Sequence, residues 1–100
     1  MVFMINFEVS LKEENKAPRT ILDRYVDGDK AETLFSETQK KFSDYYVEPS
    51  KENQPFVYMS TTPVVSNEIK GMMAGYRGVA CFKIEVKEQI VDFINKIEKP

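Results

Sequence analysis

The sequence predicts an α/β protein, with α+β as the near variant: a small three-stranded sheet and about four helices in the order β-α-α-β-α-β-α, within one domain over residues 1–100. Three observations predict it. Residues 3–11 alternate between apolar and polar positions. Later stretches carry apolar residues at helical spacing. Two short runs rich in aromatic and β-branched residues, "FVYMST" and "VACFKIEV", flank one of those stretches. Strands joined through helices tend to run parallel by right-handed crossovers, while strand order and sheet direction are left open by the sequence.

In the first strand Phe3, Ile5, Phe7, Val9 and Leu11 point one way, and Met4, Asn6, Glu8 and Ser10 the other. Period-two alternation with one polar face belongs to a strand covered on one side. "KEENKA" follows as a charged loop. Pro18 suits the first turn of a short helix, Ile21, Leu22, Tyr25 and Val26 follow at helical spacing, and Gly28 is a natural stop. A longer helix then starts with Asp29 and Glu32 as a capping-box-like pair. Its stripe is Leu34, Phe35, Thr38, Phe42, Tyr45 and Tyr46; Lys30, Glu37, Lys40, Lys41 and Asp44 occupy a solvated face. Residues 47–55, with two prolines, read as an exposed loop. The last strand carries Ala80, Phe82, Ile84 and Val86 on its apolar face. The closing helix carries Ile90, Phe93, Ile94 and Ile97.

The stretch "EIKGMMAGYRGVACFKIEV" holds three of the four glycines. Thr62 and Pro63 resemble a helix start, and Val65, Ile69, Met72, Met73 and Tyr76 fall on one helical face. Gly71 and Gly75 each cost a helix interior about 1 kcal/mol relative to alanine. Burying five large apolar side chains at about 1.5–3 kcal/mol each outweighs that cost. A helix over 63–77, ended by Gly78, is therefore expected. A phosphate loop is not, because its glycines would follow a strand and precede a helix. Two glycines four residues apart permit close packing of this helix on a neighbour. Second to that reading, they permit a surface notch at Gly75 rimmed by Lys70, Tyr76 and Arg77.

Composition excludes more chemistry than it suggests. There is no histidine and one cysteine, so Ser–His and Cys–His nucleophile pairs and every zinc site built from those two residues are ruled out. No metal and no cofactor is implied. With net charge −2 and no basic stripe, nucleic acid is a disfavoured partner. Cys81 sits in an apolar run as a small hydrophobe. No apolar stretch approaches a membrane span, the first residues read as a strand and not as a signal peptide, and a cytoplasmic protein without a membrane partner is expected.

One stretch resembles a known family. "FVYMSTTPVVSNEIKGMMAGYRGVACFKIEV", about 30 residues, is similar to the middle of ADP-ribosyltransferase-like folds. There a strand ends in a hydroxyl triplet, followed by a short helix, a glycine and a strand. Ser60, Thr61 and Thr62 would match the triplet, and the resemblance implies that Ser60 helps shape a dinucleotide pocket. The first strand, "MINFEVS", lacks the arginine or histidine that the family uses to hold the dinucleotide, and no glutamate follows on a later strand. The leading expectation is a non-catalytic protein-binding module acting stoichiometrically, such as a small inhibitor, immunity protein or regulator. Its contact residues would be Tyr45, Tyr46, Lys70, Gly75, Tyr76 and Arg77, with another protein as partner and a homodimer through sheet edges as a further expectation. An ADP-ribosyltransferase-like or other nucleotide-binding domain, and a single-strand nucleic-acid binder using tyrosines for stacking, are the alternatives.

Overall fold

The alternation of the first strand sets the inside of the molecule. A computed structural model describes residues 4–48, 54–64 and 77–99. Ile5, Phe7, Val9 and Leu11 of β1 (Met4–Lys12) are all buried. The chain then turns through a loop in which Asn15 takes a left-handed conformation, φ 58°, one that asparagine tolerates better than most residues. In this loop Lys16 lies 3.7 Å and Arg19 3.4 Å from the Glu13 carboxylate. Together, Lys16 first, they hold that carboxyl below its ordinary range. Such a group favours the folded state above its unfolded pKa and loses that contribution as pH falls. At so exposed a site the effect is small and screened by salt.

Residues 19–27 are not a helix. They form β2 (Arg19–Asp27), paired antiparallel with β1 from Met4↔Asp27 to Leu11↔Arg19, with a bulge at Val9/Ser10. Ile21, Leu22, Tyr25 and Val26 fit helical spacing, but Leu22 and Val26 also fit period two. Thr20, Ile21, Tyr25 and Val26 favour a pleated surface. A neighbouring strand decides between two spacings that a short segment satisfies equally. Pro18 accordingly precedes a strand.

Gly28 does not stop a helix but begins one. In α1 (Gly28–Lys41) the cap is Asp27, whose side chain accepts from the Lys30 N–H at 2.8 Å, so the Asp29–Glu32 capping pair is overturned. Ala31, Leu34 and Thr38 face inward, and Phe42 closes the helix with its N–H on the Thr38 carbonyl, 3.1 Å away. A 3-10 turn, Ser43–Tyr45, follows.

Strand β3 (Phe56–Pro63) pairs antiparallel with β1, and β4 (Gly78–Lys83) antiparallel with β3. Thr62 and Pro63 lie within β3 and do not open a helix; Gly78 starts β4 and does not end one. Of the expected helix over 63–77, Val64 and Arg77 are not helical, and residues 65–76 lie outside the described residues. The apolar face of the last strand is shorter than its pattern: Ile84–Val86 form a 3-10 turn leading into α2 (Lys87–Glu98). Ile90 and Ile94 of α2 are buried, with Phe93 and Ile97 partly so.

The described residues thus form a mixed α and β fold: a four-stranded sheet in the order β2-β1-β3-β4 with two α-helices. Four strands correct the three-stranded count, and every neighbouring pair is antiparallel, against the tendency of helix-linked strands to run parallel. The crossover through α1 does link two strands of like direction, β2 and β3, but β1 lies between them. Both helices cover one face, where Ile5, Phe7, Val9, Leu22, Val57, Met59, Ala80 and Phe82 meet Ala31, Leu34, Ile90 and Ile94 in one core.

Thr38 is completely buried, and its hydroxyl has no hydrogen-bond partner among the described residues. A buried hydroxyl without a partner costs about 1–3 kcal/mol. Valine has the same branched shape and a similar helix propensity. Thr38→Val is therefore expected to raise the melting temperature by about 4–8 °C, equivalent to about 1 kcal/mol. A lower melting temperature would show that the hydroxyl is bonded.

Candidate functional site

The aromatic pair singled out in the sequence is placed by three rings and a short backbone bridge. Phe42, at the end of α1, meets Phe82 of β4 edge-on (6.4 Å, 71°) and Phe93 of α2 edge-on (5.9 Å, 82°). Beyond this anchor the Tyr45 N–H donates to the Phe42 carbonyl at 2.9 Å and the Tyr46 N–H to that of Ser43 at 3.4 Å. The chain then runs alongside β4. Tyr46 bridges Phe82 in antiparallel fashion, and the Val47 N–H donates to the Cys81 carbonyl at 3.0 Å. Tyr45 and Tyr46 remain 40% and 51% exposed, on a backbone held by these hydrogen bonds. Helical spacing had put both rings on the inner stripe of α1, but that stripe ends at Phe42, and the change to a 3-10 turn sends them out.

Arg77 precedes β4 and is exposed. Five residues separate it from Phe82, the register partner of Tyr46, so at strand rise the two ends of this edge stand about 16 Å apart. They share an edge without forming one patch. Lys70, Gly75 and Tyr76, the remaining predicted contact residues, lie outside the described residues. Between the two ends stands Val79, 64% exposed, which the sequence reading did not single out. Alternation with Ala80 and Phe82 sets it on the face away from the helices, and that β4 also lies at the edge of the sheet is a fact no local pattern carries.

Arg77 is instead brought to the hydroxyl triplet. Ser60, Thr61, Thr62, Arg77, Gly78 and Val79 line a depression of about 380 Å³ where β3 and β4 pair. Ser60 and Thr62 alternate onto the sheet face away from the helices, whereas Thr61 is buried on the helix-covered face. Gly78 permits a close approach on the inner side. A Cβ built there would meet Phe35 Cζ at 2.9 Å, so the tip of the Phe35 ring packs against the bare backbone. This glycine is kept for packing.

The face away from the helices is not uniformly wet. Ser10 and Cys81, register neighbours of Tyr58 on either side, are both buried. Burial pushes the Cys81 thiol above its ordinary pKa. A raised thiol favours the folded state below the unfolded pKa and loses that contribution as pH rises past it. Native protein is therefore expected to react with a thiol reagent such as DTNB far more slowly than protein in guanidinium at the same neutral pH. Equal rates would contradict the burial.

Among the described residues no group of three or more acidic, histidine or cysteine side chains could hold a metal ion, and no helix is long and apolar enough to cross a membrane. No protein-family model, no curated protein and no solved structure matches the chain.

Proposed function

We propose that the protein is a non-catalytic protein-binding module that acts stoichiometrically, as a small inhibitor, immunity or regulatory protein does. The observation that carries this reading is the pair Tyr45 and Tyr46: two outward rings on a backbone fixed by Phe42 and by the bridge to Phe82. Tyrosine is enriched among interface anchors, and a ring whose backbone is already ordered loses little further entropy on binding. Arg77 supplies a cation at the far end of the same edge.

The test starts with affinity capture of the partner and its identification by mass spectrometry. Tyr46→Ala is then expected to weaken binding of the purified partner by about 2 kcal/mol, roughly thirtyfold, with an unchanged melting temperature. A lower melting temperature with undiminished binding would overturn the assignment.

The depression lined by Ser60, Thr62 and Arg77 favours a second reading, a nucleotide-binding domain, since hydroxyls and a guanidinium suit a phosphate. A dinucleotide at a hundred times its dissociation constant would add about 2.7 kcal/mol of stability. An absent thermal shift at millimolar dinucleotide removes this reading. A single-strand nucleic-acid binder would retard oligonucleotides at low salt, and failure to do so ends that alternative.

A further inference from the structure

We infer that the free half of the β4 edge is a strand-addition site for an extended segment of a partner protein, one with a β-branched or aromatic residue beside Val79 and a carboxylate for Arg77. The inference rests on the protein-binding reading above and assigns it a mode.

In an antiparallel ladder the N–H and C=O of one residue point to the same side, and the side alternates along the strand. The Cys81 carbonyl points away from β3, because it accepts from the Val47 N–H. Two residues earlier, the N–H and C=O of Val79 therefore point outward too, and Ser60↔Val79 is a pair that exchanges no ladder bonds. The chain itself shows that this edge accepts an antiparallel strand. Tyr46 and Val47 occupy it beside Phe82 and Cys81, and the cover does not extend to Val79, the most exposed large apolar residue among the described residues. An uncovered edge bearing an apolar residue invites pairing, and peptide recognition by strand addition takes main-chain bonds from such an edge and specificity from its side chains.

The geometry favours a foreign segment over a second copy. Pairing β4 with β4 about a twofold axis at Val79 would set the copy's Arg77 opposite Cys81, where Val47 already sits. Only the two mutual Val79 bonds would form. A foreign segment meets no such return clash and can bond to Val79 and, one step further back, to Arg77. Arg77 forms no salt bridge among the described residues, so its guanidinium is available to a carboxylate on that segment.

The test uses the whole protein and a phage-displayed library of random linear peptides of about nine residues, a strand's length. Enriched peptides are expected to alternate β-branched or aromatic residues and to carry an acidic residue. Val79→Pro removes the outward N–H without touching the ladder to β3, since proline is tolerated at such edge positions. It is expected to weaken a selected synthetic peptide by about tenfold or more, whereas Val79→Thr leaves binding within about twofold. Bound peptide is also expected to slow hydrogen exchange of the wild-type Val79 amide, which decides the matter should Val79→Pro not fold. Selected peptides lost by Tyr46→Ala but indifferent to Val79→Pro would overturn the edge site and leave the binding-module reading standing. No enriched peptide at all would likewise overturn the edge site, whereas the binding-module reading stands or falls with the capture of a partner. A concentration-dependent dimer that Val79→Pro dissociates would show that a second copy takes the edge.

Discussion

Phe82→Ala is expected to destabilise the protein by about 3–5 kcal/mol and to lower its melting temperature by about 15 °C or more. Phe82 is fully buried, and it stands where the sheet, α1 and α2 converge: its ring meets Phe42, which in turn meets Phe93. Removing it leaves a cavity that three elements border, and none of them can close it without disturbing the other two. The same residue is the register partner of Tyr46. The substitution should therefore also release the Tyr45–Val47 segment, seen as faster hydrogen exchange at the Val47 amide relative to the centre of β1. A loss below 1 kcal/mol, or unchanged exchange at Val47, would contradict this placement.

Arg24→Ala is expected to cost about 1–2 kcal/mol, with most of the loss traceable to one helix end. Arg24 lies on the helix-covered face of β2, between Leu22 and Val26, where a charged residue is out of place in the pattern. Its long side chain carries the guanidinium past the core to the last turn of α2. There Nε lies 3.2 Å from the Glu98 carboxylate, Nη2 donates to Asn95 Oδ1 at 3.0 Å, and Lys30 Nζ donates to the Glu98 carbonyl at 3.0 Å. Cations at a helix C-terminus also oppose its negative dipole end. Arg24 is 37% exposed and Glu98 15%, so screening reduces the pair's worth, but the carboxylate left behind is poorly solvated. In a Glu98→Ala background Arg24→Ala should cost clearly less; strictly additive losses would show that the two do not interact. Arg24→Lys is expected to recover only part, since a lysine cannot fork between Asn95 and Glu98.

The elements read correctly from sequence are those whose partners matter least. β1 shows because strict alternation over nine residues has no helical competitor, and α2 because Ile90, Phe93, Ile94 and Ile97 fit only a helix. The body of α1 shows for the same reason, while its start was misplaced by two residues: Asp27 and Asp29 are equally good capping residues, and only the end of β2 decides between them. β2 was hidden because a run of nine residues with Ile21, Leu22, Tyr25 and Val26 satisfies both periods. Sheet direction and order were not legible at all, since they depend on pairings between residues far apart, such as Phe7↔Thr61. The same holds for the candidate site. Tyr45 and Tyr46 are legible as candidate contact residues, but not the 3-10 turn that takes both beyond the inner stripe of α1. Alternation in the last strand puts Val79 opposite Ala80 and Phe82 but does not show that the strand is an edge, and the meeting of Arg77 with Ser60 and Thr62 appears only once β3 and β4 pair.

One junction has a geometric consequence. Asp27 is the last residue of β2 and Gly28 the first of α1, and the carboxylate that ends the strand also holds the helix's first turn. One carboxylate thus serves two elements, and with no residue between strand and helix the direction in which α1 leaves the sheet is set by the last pair of the ladder, Met4↔Asp27.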